Sequence, residues 1–140
     1  MDKNPTPAEI VVMAGAGAVL VFSFFPFYSR SAGLHSTNAW GSGLFPLSTL
    51  IVIFAVAAGV LVAMVRFADV QYPPGGFLGF GYHQLLLALA FFAATLSVAF
   101  LIIDKGPFAS SGVGLWLMLL GSVAALVGAV MLTNEARAKA

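Results

Sequence analysis

His35 and His83 are the imidazoles of this chain, and together they could ligate a haem iron from both sides. They are separated by an apolar run long enough to cross a bilayer, which would set them on opposite faces of the membrane and deny them one iron. Around His35 stand Ser29, Ser31, Ser36 and Thr37, hydroxyls that a base could activate. No carboxylate lies near them in sequence to orient the imidazole, so a hydrolytic triad is not expected. Gly75-Gly76-Phe77-Leu78-Gly79-Phe80-Gly81 is glycine-rich, but it lacks both the Lys-Ser/Thr of a P-loop and the strand that precedes a dinucleotide site. It reads as a flexible turn. With no cysteine in the chain, thiolate metal sites, iron–sulfur clusters, disulfides and cysteine nucleophiles are all excluded. Glu9 and Asp104 sit at the ends of apolar runs, as a cap residue and a stop signal. The expectation is therefore a protein without a catalytic, cofactor or metal site.

The elements that carry these residues are apolar. Hydrophobic residues make up 61% of the 140 and charged residues 8%, against about 25% charged in a soluble domain. A soluble fold could not cover itself with so few charges, whereas a bilayer solvates apolar surface directly. Net charge is +1 and the basic residues are scattered singly, which removes nucleic acid as a partner. Four stretches, at about 10–27, 44–65, 84–103 and 113–133, are each long enough to cross hydrocarbon as a helix, for which about 20 residues are needed. The expected fold is all-α: one domain, a polytopic membrane protein with four transmembrane helices in an up-down bundle joined by short loops.

Local signals support those limits. Thr6-Pro7-Ala8-Glu9 has the form of a capping box with proline at the first helical position. Span one ends in Phe24, Phe25, Phe27 and Tyr28 around Pro26, an aromatic cluster suited to the membrane interface together with Trp40 and Phe45. A small-residue cleavage site is missing there, so span one is expected to stay in the membrane rather than be removed as a signal peptide. Lys3, Arg66, Arg137 and Lys139 fall on one side, Arg30 and Lys105 on the other. By the positive-inside rule both termini face the cytoplasm.

Within the membrane the polar side chains are hydroxyls, Ser23, Ser48, Thr49, Thr95, Ser97 and Ser122. These ordinarily bond back to carbonyls of their own helix. Ion transport and proton relay need ionisable groups at that depth, and a water-filled pore needs a polar stripe along one span. Small residues mark the seams where helices can approach closely. Ala55, Gly59 and Ala63 share one face of span two, and Gly114, Gly121 and Gly128 draw a groove along span four. Span four could dock on another protein, although packing inside its own bundle is the simpler expectation. The first loop, about 29–43, is the longest on the outer side, and its Asn38 and Trp40 are the first candidates for recognition.

Phe25-Pro26-Phe27-Tyr28-Ser29 followed by Asn38-Ala39-Trp40 ahead of a second span resembles a group of small four-span membrane proteins of actinobacteria. Phe27 stands where that group more often has Trp. The resemblance implies a bacterial inner membrane and carries no activity with it. The functional expectation is a non-catalytic accessory subunit that assembles with or stabilises a larger membrane complex. The alternative is a homo-oligomeric scaffold, pore or lipid-organising protein. Partners would be other integral membrane proteins or the chain itself, and lipids.

Overall fold

The computed structural model describes residues 4–26, 28–30, 38–40, 46–103 and 109–139. It is an all-α bundle of four helices, α1 (Pro7–Phe22), α2 (Leu47–Phe67), α3 (Tyr82–Ile102) and α4 (Val113–Ala138). Each helix packs on its neighbours in chain order, and α1 and α4 close the ring through the most extensive seam of the four. Two apolar clusters fill the interior. One joins Val19, Ile51, Ala55, Ala93, Leu115 and Met118; the other joins Val12, Ala58, Val62, Leu86, Ala125 and Ala129.

α2, α3 and α4 are long and apolar enough to cross a membrane, and α1 is a shorter apolar helix. Only 33% of the apolar window of α3 is buried within the bundle. Its outward side includes Phe91, Phe92, Val98 and Ile102, all exposed, so the bundle is apolar outside as well as inside. Such a surface is stable against hydrocarbon and unstable against water.

The capping box opens α1 as its sequence suggests: Thr6 Oγ1 accepts from the Glu9 amide at 3.3 Å, and Glu9 Oε2 accepts from the Thr6 amide at 2.9 Å. At the other end the helix stops at Phe22, short of the expected limit near residue 27. Proline clashes with the turn before it and disfavours helical backbone at its predecessor, so Pro26 ends the helix early. At 16 residues α1 spans roughly 24 Å, less than the hydrocarbon core. Past the end of α2, Asp69 takes a left-handed φ of 52°, which lets the Val70 amide return to the Met64 carbonyl at 3.2 Å and closes the helix. α4 runs to Ala138, beyond the expected limit near 133, and carries Glu135 and Arg137 on its final turns.

The loops hold two features that an all-helical reading leaves out. Tyr28–Arg30 (β1) pairs antiparallel with Ala109–Ser111 (β2), Tyr28 opposite Ser111 and Arg30 opposite Ala109. The α1–α2 and α3–α4 connections therefore lie at the same end, as up-down topology requires. At the opposite end, the glycine-rich 75–81 segment is a built hairpin, not a loose turn. Phe77 and Phe80 exchange backbone hydrogen bonds at 2.9 Å. Leu78 and Gly79 between them have φ of 53° and 83°, positive at both central positions as in a type I′ turn.

Candidate interaction site

The Asn38-Ala39-Trp40 segment lies across the ends of α1 and α2 and binds to both. Asn38 Oδ1 accepts from the Trp40 amide at 3.1 Å, an Asx turn that orients the following residues. The indole Nε1 of Trp40 donates to Ser23 Oγ at 2.9 Å, while Ser23 Oγ donates to the Leu20 carbonyl at 2.6 Å. The Ala39 amide donates to the Ser23 carbonyl at 3.2 Å. From the α2 side, Ser48 Oγ donates to the Ala39 carbonyl at 2.8 Å and Thr49 Oγ1 reaches the same oxygen at 3.3 Å. Ser23, Ala39 and Ser48 are fully buried. One ring face of Trp40 stacks on Phe24, centroids 5.9 Å apart, and the residue keeps 40% of its surface exposed. Trp40 thus closes a polar junction with one edge and presents an aromatic surface with the rest.

The expectation that hydroxyls bond back to their own helix holds for Ser97, which donates to the Ala93 carbonyl at 2.9 Å. It fails for Ser48 and Thr49, which lie in the first turn of α2. A back-bonding hydroxyl needs the carbonyl three or four residues earlier, and for Ser48 and Thr49 those residues precede the helix, so these hydroxyls turn outward to a neighbouring loop. Ser97 Oγ also meets Ser122 Oγ at 3.3 Å, a buried polar contact between α3 and α4.

The glycines of α4 face α1. A Cβ on Gly128 would lie 2.9 Å from the Ala8 carbonyl oxygen, and one on Gly121 would lie 2.9 Å from the Gly15 carbonyl oxygen. On Gly114 it would meet the Phe25 carbonyl oxygen at 2.7 Å, where the Gly114 amide donates to the Pro26 carbonyl at 2.8 Å. All three positions of the groove therefore seat the same neighbouring helix and its C-terminal extension. On α2, Ala55 is buried, Gly59 lies against Ala16, where an added Cβ would come within 2.5 Å of that methyl, and Ala63 is half-buried. The candidate residues fall into two groups: Asn38 and Trp40 at one end, and the small residues along the α1–α2 and α1–α4 seams.

At the opposite end Glu9 is buried and held by Arg66, Nε to Oε2 at 2.8 Å and Nη2 to Oε1 at 2.6 Å. A bidentate Arg–carboxylate pair is the strongest geometry two such groups can adopt. Beside it, the ring of Tyr82 packs edge-on against Tyr72 and His83. The Tyr72 hydroxyl donates to the Phe80 carbonyl at 2.6 Å and accepts from the Phe77 amide at 3.2 Å, which struts the hairpin. Reading Glu9 as a cap alone missed its second role. The signal was available: antiparallel spans one and two bring the start of the first beside the end of the second, where Arg66 is the basic residue.

His83 stands at the first turn of α3 with its Nδ1 buried and without a hydrogen-bond partner among the described residues. His35, Ser31, Ser36, Thr37, Asp104, Lys105, Lys3, Phe27 and Phe45 lie outside the described residues, so the paired-histidine and hydrolytic arrangements are not addressed by this geometry. Among the described residues no three His, Cys, Asp or Glu side chains gather as a metal site would require. No family model, curated protein or solved structure matches the chain.

Proposed function

We propose that this protein is a non-catalytic accessory or structural subunit that stabilises a larger complex in a bacterial cytoplasmic membrane, both termini facing the cytoplasm. The observation that carries the reading is the use made of the buried polar side chains. Ser23, Ser48 and Thr49 fasten α1 and α2 to the Asn38-Ala39-Trp40 turn, Ser97 and Ser122 join α3 to α4, and Glu9 joins α1 to α2. Each serves to hold one element against another, which suits a rigid body that works by being in place. The partly exposed Trp40 beside Phe24 offers such a body an aromatic contact, the residue type that dominates recognition surfaces. The termini are assigned by the excess of Lys and Arg at their end of the bundle. The likeness of the 25–40 region to small actinobacterial four-span proteins supports the bacterial membrane.

The test is purification of the tagged protein from its own host in a mild detergent, with particle size and co-purifying chains recorded. A stoichiometric set of larger membrane proteins establishes the subunit reading. A particle holding this chain alone removes it. In that case the second reading applies, a self-assembling or lipid-organising protein, favoured by an open apolar groove between α3 and α4.

A further inference from the structure

That groove has the two-part character of a lipid. It measures about 910 Å³, within the size range of small-molecule sites. Leu87 and Phe91 of α3 and Leu126 and Val130 of α4 form its walls, and Gln84 is the one polar side chain that lines it. Gln84 stands in the first turn of α3, at the end of the bundle, and Phe91 lies two turns deeper. That is a depth of roughly 11 Å, most of the roughly 15 Å of hydrocarbon in one leaflet. A polar rim and a dry trough contained within one leaflet match a headgroup region and the upper part of an acyl chain. They do not match the helix of another protein, which would continue past the rim.

The roof of the groove comes from outside the helices. Phe80 and Gly79 of the hairpin close its upper end. The hairpin is held there at a cost: Leu78 occupies left-handed backbone, which crowds the Cβ of an L-residue against the following carbonyl oxygen, a penalty of about 1–2 kcal/mol. That strain places Leu78, 80% exposed, with Phe77, 54% exposed, at the tip. An apolar tip at the end of membrane-spanning helices is tolerated where it dips into the interface. The surface below it, Phe91, Phe92 and Val130, is exposed and continuous with the apolar belt on α3 and α4. The groove thus opens onto the face that meets lipid.

We propose that the α3–α4 groove, roofed by Phe80, binds one acyl chain of a bilayer lipid, with the 77–80 hairpin immersed in the interface of that leaflet. The site rests on membrane insertion and is independent of whether the protein serves as an accessory subunit.

The experiment uses the full chain reconstituted in palmitoyl-oleoyl phosphatidylcholine vesicles doped with a phosphatidylcholine bearing a diazirine on its acyl chain. Flotation first establishes insertion, and the adducts are then mapped after irradiation. Adducts should concentrate at Leu87, Phe91 and Leu126 by about tenfold over Val60 and Met64, exposed on α2 in the same half of the bundle. Ala88→Trp, which fills the trough, should bring that excess down to the α2 level while helix content is retained. Even labelling around the belt overturns the site while leaving insertion intact. An excess that survives Ala88→Trp in a folded protein also overturns it, and failure to float overturns insertion and site together. If Ala88→Trp does not fold, Leu126→Ala replaces it: widening the trough should cut the Phe91 excess at least by half, and an unchanged excess rejects the assignment.

Discussion

Arg66 meets Glu9 through two hydrogen bonds, 2.8 Å and 2.6 Å, across 57 residues of chain, and so fastens the last turn of α2 to the first turn of α1. The same carboxylate caps α1 by accepting from the Thr6 amide at 2.9 Å. One side chain therefore both starts a helix and holds it to its neighbour. With side-chain exposures of 27% and 8%, the pair is shielded from water, and losing one partner leaves the other charge poorly solvated.

Glu9→Gln should lower stability by about 2–3 kcal/mol, because the amide oxygen can still cap Thr6 while the charge on Arg66 is left unmatched. Arg66→Gln should cost as much alone, and much less in the Glu9→Gln background. Thermal unfolding in detergent of the two single variants and the double variant measures the coupling. Strictly additive losses would show that the pair contributes nothing as a pair.

The glycine seam predicts an order of sensitivity. A Cβ on Gly15 would lie 2.5 Å from the Gly121 carbonyl oxygen and 2.7 Å from the Ala125 amide nitrogen, both backbone atoms that cannot step aside. On Gly121 the nearest atoms are at 2.9 and 3.0 Å, one of them a Val19 side-chain methyl instead of backbone. Gly15→Ala should cost about 2–3 kcal/mol and Gly121→Ala about 1–2. Gly17 has nothing within 4 Å of its added Cβ, so Gly17→Ala should gain up to about 1 kcal/mol from helix propensity. Gly121→Leu should separate α4 from α1 outright. Equal melting temperatures across this series would remove the seam as a source of stability.

Trp40→Phe keeps the stacking on Phe24 and removes the indole donor to Ser23. The expected loss is about 1 kcal/mol, and Ser23→Ala added to Trp40→Phe should cost less than Ser23→Ala alone, since the Trp40–Ser23 bond is already gone and only the bond from Ser23 Oγ to the Leu20 carbonyl is left to lose. Trp40→Ala also strips the exposed aromatic surface. Reduced retention of partner chains in that variant, beyond what Trp40→Phe causes, would mark Trp40 as a recognition residue. Equal yields would leave it as an anchor.

Leu78→Asn converts the turn to Asn-Gly, the pair best suited to positive φ at both positions. Stability should rise by about 1 kcal/mol as left-handed strain is relieved. Thermal unfolding in detergent, where the lipid contact of the tip is absent, isolates this effect. A fall in melting temperature would mean that Leu78 is held by packing rather than against strain.

Much of the architecture was legible along the chain because it is set by short-range rules. Apolar runs of membrane length state the number of helices, and Thr6 with Glu9 states where α1 begins. The seven-residue spacing of Gly114, Gly121 and Gly128 states that α4 carries a groove. What the groove receives is not local information, because glycine spacing describes one helix and a seam needs two. The bond from Trp40 to Ser23 was hidden for a related reason. It depends on α1 ending at Phe22, and with the helix drawn to residue 27 that hydroxyl would lie a turn inside it.

The amino-acid sequence by itself determined the class of molecule: too apolar and too sparsely charged for water, divided into four stretches suited to hydrocarbon, with small residues for close packing. Composition and periodicity suffice there because transfer of a helix into lipid is nearly a sum over its residues. Only the tertiary structure decided that the α4 glycines seat α1, that Glu9 answers Arg66, that Tyr28–Arg30 and Ala109–Ser111 pair, and that the hairpin roofs a groove on α3 and α4. Each is a contact between distant segments, whose free energy exists only once the helices are side by side.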